Sequence, residues 1–192
     1  MISRMQQQSP YCPNTAVIGF PMLPLGSVMW SSEEIVGAAL KDIPRDKTQI
    51  LTKFGMRWDL KQGEFSTHSK KNDGQEIEIY KFAGKESVIS ECEQSLKRLG
   101  TDYIDLYQIH WPDPTTPLDE TFEAVDQLIR QGKVRYAGVC NYSARLMQEA
   151  EDTVSLISNQ IPFSMVNRGM EEETIPYCVK HNKSVLAYSP LE

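Results

Sequence analysis

From Ser31 onward, short apolar or β-branched runs alternate with longer stretches whose apolar positions recur three and four residues apart. Runs of the first kind predict strands and the second kind predict helices, so the chain reads as repeated βα units. Strands are expected at 48–52, 104–109, 136–140, 156–160 and 184–188, five in all and in one direction. Ser32 is placed to cap a first helix with Ile35, Val36, Ala39 and Leu40 as its apolar face. Val88, Ile89, Cys92, Leu96 and Leu99 mark a second helix, with Gly100 where a left-handed cap belongs. Thr116-Pro117-Leu118-Asp119 opens a third, whose core face is Phe122, Val125, Leu128 and Ile129 and whose end is Gly132. Ser143 caps a fourth, and a fifth lies around 175–180. Residues 59–84 are polar and aperiodic, with three glycines, and predict one long surface loop.

Parallel βα repeats occur in doubly wound sheets and in (β/α)₈ barrels, and the polar residues separate the two. Lys53, His110, Asn141, Gln160 and Ser189 each fall at or just past the C-terminal end of a predicted strand. Barrel enzymes assemble their sites at that rim from several strand ends. A doubly wound nucleotide fold concentrates phosphate binding in a G-x-G-x-x-G turn, and the chain has none. The expected fold class is therefore an α/β parallel TIM barrel. With 192 residues and five strands it is incomplete, because a whole barrel takes eight strands and about 250 residues.

Composition narrows the function. A net charge of −6 with lysines and arginines scattered mostly singly gives no basic stripe, so no nucleic-acid partner is expected. The four cysteines are far apart, and no C-x-x-C or H-x-x-x-H spacing occurs, so neither a disulfide framework nor a metal site is expected. No apolar run approaches the roughly 20 residues that cross a bilayer, and no export signal stands at the N-terminus. A cytoplasmic protein without a membrane partner is expected.

The segments SEEIVGAALK (32–41), LTKFG (51–55), SLKRLGTDYIDLYQIHWPDPTTPLDET (95–121), GKVRYAGVCNYS (132–143), NQIPFSMVNRGMEEETIPYC (159–178) and VLAYSPL (185–191) resemble the aldo-keto reductase family. The resemblance implies an NADPH-dependent barrel enzyme that reduces small aldehydes and ketones. In that family a tyrosine is the general acid, a lysine and an aspartate lower its pKa, and a histidine orients the carbonyl. Lys53 and His110 match the lysine and the histidine. The chemistry is coherent: a neighbouring cation favours phenolate, and an imidazole donor polarises the carbonyl oxygen as hydride arrives. Cys140, Asn141, Gln160, Tyr188, Ser189 and Leu191 fall at the family's cofactor-binding positions, Tyr188 matching the ring that stacks on the nicotinamide. Cys140 departs from the usual serine, and a thiol is the weaker donor. Trp58 and Trp111 read either as rim packing or, beside the substrate mouth that the resemblance implies, as its apolar wall. Without the family pattern, a lone histidine at a strand end would read as packing and a lone lysine as surface.

Residues 1–30 form an atypical segment ahead of a partial barrel domain at 31–192. The family's aspartate and tyrosine, counted back without gaps, fall near Met22 and Ser27, and neither residue type occurs between Cys12 and Ser32. Pro21 and Pro24 also oppose a central strand there. A shifted reading frame or a misassigned start would account for the abrupt onset of resemblance. Two functions are then expected to compete: a carbonyl reductase of which this chain is an impaired fragment, or a non-catalytic nucleotide-binding or interaction module. An incomplete barrel should also leave open sheet edges through which copies self-associate.

Overall fold

A computed structural model describes residues 16–19, 29–71 and 73–191. A six-stranded sheet, parallel throughout, runs β1 (Ala16–Gly19), β2 (Thr48–Phe54), β6 (Ile104–Ile109), β7 (Val134–Cys140), β8 (Leu156–Pro162) and β9 (Ser184–Tyr188), in that spatial order. Helices α1 (Met29–Leu40), α2 (Lys85–Leu99), α3 (Leu118–Arg130), α4 (Ala144–Glu151) and α5 (Thr174–Lys180) alternate with these strands. The sheet curls as part of a (β/α)₈ barrel.

Its core lies between the outer face of the sheet and α2, α3 and α4. Ile50, Phe54, Ile104, Tyr107, Ile109 and Val139 pack against Val88, Cys92, Phe122, Val125 and Met147, all buried. The Phe54 and Tyr107 rings stack at 4.5 Å, and Phe122 meets Tyr142 edge-on at 6.2 Å. The opposite face is polar. Lys53, Gln108, Gly138 and Ser158 stand side by side across four strands. Here glycine is needed for space: a Cβ at Gly138 would sit 2.6 Å from Ser158 Oγ and 3.1 Å from Gln108 Cγ.

Several expected stops and starts are in place. Gly100 ends α2 in the left-handed conformation, φ 63°, and Thr101 N–H reaches back to Leu96 O at 3.2 Å. Ser143 Oγ accepts from Leu146 N–H at 3.3 Å and caps α4.

Four expectations are corrected. Residues 59–84 are no loop but carry an antiparallel ribbon, β4 (Glu64–Lys70) with β5 (Glu76–Lys81), extended by β3 (Met56–Arg57). It buries only a narrow face, with Met56, Ile77 and Ile79 inside, so most of its sequence is polar. Ala16–Gly19 pairs with β2 as a sixth strand, whereas Pro21 and Pro24 lie outside the described residues. Ser32 lies inside α1 rather than capping it. That helix turns Ile35, 66% exposed, away from the core and approaches α2 through Gly37, where a Cβ would be 2.6 Å from Arg98 O. Finally, Pro117 occupies the cap position of α3, and the Thr116 hydroxyl donates instead to Asp113 at 2.7 Å.

Candidate active site

Parallel strands bring their C-terminal ends to one rim, and the polar residues of the sequence collect there. Lys53 is the penultimate residue of β2, His110 follows β6, Cys140 ends β7 with Asn141 beyond it, Gln160 lies late in β8, and Tyr188 ends β9. Backbone and side-chain hydrogen bonds link them. His110 N–H donates to Phe54 O at 2.9 Å, and Asn141 Nδ2 donates to His110 O at 3.2 Å. Tyr188 Oη donates to Asn141 Oδ1 at 2.9 Å, and Asn141 N–H donates to Gln160 O at 2.9 Å. Asn141 adopts φ 61°, a conformation asparagine tolerates better than most residues, and that turn lets its side chain bridge β6 and β9.

His110 is 5% exposed, and neither ring nitrogen has a hydrogen-bond partner among the described residues. Burial, reinforced by the charge of Lys53, pushes its pKa down to about 3. The imidazole is neutral at pH 7, with one donor and one acceptor to offer. A buried polar group without a partner costs roughly 1–3 kcal/mol, which makes this ring a candidate ligand-binding group. Lys53 is buried at 8% exposure, and desolvation lowers its pKa, with Cys140 acting in the opposite direction. The Cys140 thiol is itself pushed up to about 12 by burial and is a neutral thiol at pH 7. Its sulfur lies 3.9 Å from Gln160 Oε1 and 3.7 Å from Gln108 Nε2.

Trp58 and Trp111 both pack on the ribbon core of Met56, Ile77 and Ile79, and Lys81 Nζ stands 5.8 Å from the Trp111 ring centre. Ser189 is half-buried with φ 52°, whereas Leu191 is 98% exposed and stands apart from the cluster. Met22 and Ser27, the counted-back positions of the family's aspartate and tyrosine, lie outside the described residues.

Two residues of this region were not anticipated. Gln108, 1% exposed, lies two residues before His110 along the extended chain, a spacing that places alternate residues on one side. Glu91 on α2 accepts from Gly55 N–H at 3.1 Å, although no local pattern marks it.

The titration of His110 has a consequence for stability. Its folded pKa of about 3 lies below its ordinary 6.5, so its contribution is full above 6.5 and is lost as pH falls toward 3. Between pH 7 and 5 this group alone should cost about 2 kcal/mol. Urea unfolding at the two pH values should show a smaller acid loss for His110→Gln than for the unaltered protein. An identical loss would place the sensitivity elsewhere.

A buried lysine and an unpartnered histidine on one rim of a parallel α/β sheet agree with what sequence comparison finds. The pattern of the Aldo/keto reductase family matches residues 27–192. The chain belongs to the aldo/keto reductase family. It is 38% identical over 161 residues to aldo-keto reductase YhdN of Bacillus subtilis (strain 168), covering 83% of this chain and 44% of that protein. It is 39% identical over 165 residues to the NADH-specific methylglyoxal reductase of Escherichia coli (strain K12), covering 84% of this chain and 49% of that one. Among solved structures, the glycerol dehydrogenase AKR11B4 of Gluconobacter oxydans superposes with a TM-score of 0.72 at 36% identity, over 83% of this chain and 45% of that one. An aldo/keto reductase of Klebsiella pneumoniae in complex with NADP and acetate gives 0.69 at 30% identity, over 92% of this chain and 53% of that one. The chain thus spans about half the length of the aldo/keto reductases it matches. Among the described residues no helix is long and apolar enough to cross a membrane, and no cluster of metal-binding side chains occurs.

Proposed function

We propose that this aldo/keto reductase chain carries the carbonyl-polarising half of an NADPH-dependent site that reduces small aldehydes and ketones. The observation that carries this reading is the buried imidazole of His110, unpartnered among the described residues and within electrostatic reach of Lys53. A neutral histidine there donates one N–H to a carbonyl oxygen and stabilises the charge that develops on it. Lys53 contributes positive potential that would hold a nearby phenol closer to its ionised form. Trp58 and Trp111 exclude water from the apolar side of the substrate.

The rim also suits a nicotinamide, which when bound supplies the hydride. Asn141 and Gln160 retain amide groups with hydrogen-bonding capacity beyond their internal contacts, the right chemistry for a carboxamide. Tyr188 offers a ring whose hydroxyl is tethered to Asn141. Cys140, Ser189 and Leu191 complete the cofactor set by their correspondence to the family. The reading favours NADPH; the NADH-specific relative makes NADH the comparison to run. The same reading places the protein in the cytoplasm, assigns it no nucleic-acid partner, and expects copies to associate through the outer edges of β1 and β9. It treats the sequence of residues 1–30 as atypical of the family, although Ala16–Gly19 within it supplies strand β1, and the 192-residue chain as impaired by itself.

The test is a chain completed with family sequence at both ends, assayed for NADPH and NADH oxidation with a panel of aldehydes. His110→Ala in that protein should lower kcat/KM about 10²-fold, the usual effect of losing one donor to a developing oxyanion. Cofactor binding with turnover indifferent to His110 would favour a non-catalytic nucleotide-binding module instead.

A further inference from the structure

We propose that Glu91 is a positioning residue: through the Phe54–Gly55 peptide it fixes the backbone from which Lys53 and His110 project. The argument rests on two hydrogen bonds to opposite sides of one peptide unit. On one side, Gly55 N–H donates to the Glu91 carboxylate, at 3.1 Å to Oε2 and 3.3 Å to Oε1. On the other, Phe54 O accepts from His110 N–H at 2.9 Å. The peptide is planar and trans, so these two groups point in opposite directions and turn together. Fixing the N–H toward α2 fixes the carbonyl toward β6.

That constraint matters because Gly55 sits at φ 85°, in the region open mainly to glycine, and a peptide next to glycine turns over with little steric resistance. Turned over, it would set its N–H against His110 N–H, two donors facing one another. Lys53 is two residues before Gly55, so the same rotation would disturb the strand end that aims its ammonium group.

Glu91 is itself held. Ser87 Oγ donates to its Oε1 at 3.1 Å, and Arg57 Nη1 lies 3.6 Å from the same oxygen. Arg57 in turn binds Ser87 Oγ at 2.6 Å and grips Asp59 with two bonds of 2.8 and 2.7 Å. These contacts root the ribbon, and with it Trp58, on the same carboxylate that orients the Phe54–Gly55 peptide. The hydrogen-bonded path then continues from His110 O to Asn141 and Tyr188. One side chain on α2 thereby aligns groups on β2, β6, β7 and β9.

The proposal builds on the reading of Lys53 and His110 as site residues, but its test needs no turnover. Amide hydrogen exchange is followed on the ¹⁵N-labelled 192-residue protein. Glu91→Leu should accelerate exchange at Gly55 and His110 about tenfold relative to Leu106 and Val139, the effect of losing one hydrogen bond. Glu91→Gln, which keeps an acceptor oxygen, should restore most of the protection. Uniform acceleration at all four amides would mean a merely structural role and would overturn the proposal. Should Glu91→Leu fail to fold, the amide resonances of Glu91→Gln decide: those of Gly55 and His110 should shift together, and a shift at Gly55 alone would break the proposed link. Exchange as expected in an inactive completed enzyme would leave Glu91's role intact while removing the functional reading.

Discussion

The 192-residue chain should oxidise NADPH with small aldehydes 10²- to 10⁴-fold more slowly than a version completed with family sequence at both ends. That range is what a positioned general acid contributes to proton transfer. On the proposed reading His110 polarises a carbonyl and Lys53 tunes a phenol, but the residues between Cys12 and Ser32 include neither the tyrosine nor the aspartate that the resemblance implies there. Hydride addition to a polarised carbonyl still leaves an alkoxide needing a proton, and a neutral imidazole already donating its one N–H is a poor substitute for a tuned phenol. The measurement is initial-rate NADPH consumption by both proteins at equal active concentration. The completed protein's turnover should fall toward that of the short chain when its restored tyrosine is changed to phenylalanine. Rates within tenfold of each other would show that the short chain has its own proton donor, and the impaired-fragment reading would be abandoned.

What could be read in the sequence divides along physical lines. Strands β6 and β9 were expected at their observed limits: β6 is covered on both faces and gives an apolar run, and β9, though only half-buried, keeps a short apolar run bounded by polar residues. Strand β2 runs two residues further than its apolar pattern, since Lys53 and Phe54 continue the ladder beside Gln108 and Ile109. The ribbon was hidden for the opposite reason. An antiparallel pair that shows water both faces over most of its length carries little hydrophobic alternation, and only Ile77 and Ile79 betray it. In the candidate site, His110 and Lys53 were legible as polar residues at strand ends, but only the resemblance to the family set them apart from a packed histidine and a surface lysine. Glu91 was not, since a glutamate in an amphipathic helix resembles any solvent-facing one. Its partner Gly55 is 36 residues away, and only the packing of α2 against the end of β2 joins them.

The largest loss of stability should come from the opposite end of the strands, with Asp105→Ala lowering unfolding free energy by about 3–5 kcal/mol. Asp105 is 3% exposed near the start of β6, and its carboxylate gathers three donors. Ile50 N–H reaches Oδ2 at 2.9 Å, Arg45 Nη2 reaches the same oxygen at 2.6 Å, and Arg135 Nη1 reaches Oδ1 at 2.9 Å. The contributions differ. Arg135 is 52% exposed, and a solvent-screened pair of that kind adds less than about 1 kcal/mol. Arg45 is 23% exposed and is held further by Thr48 O and Tyr103 O, with its guanidinium 3.9 Å above the Tyr103 ring. Removing the carboxylate leaves this guanidinium beside an apolar floor and strands a buried backbone donor, the two situations in which a lost partner costs most. Asp105→Asn, which keeps an oxygen for Ile50 N–H, should recover about half the loss. Urea unfolding midpoints at constant m-value provide the measurement, and a loss below 1 kcal/mol for the alanine variant would show that water replaces the carboxylate. Because Asp105 and His110 occupy opposite ends of β6, the destabilised protein should keep its His110 and Gly55 amide resonances in place. That separation is the one barrel architecture predicts, with stability held at the N-terminal ends of the strands and chemistry at the C-terminal rim.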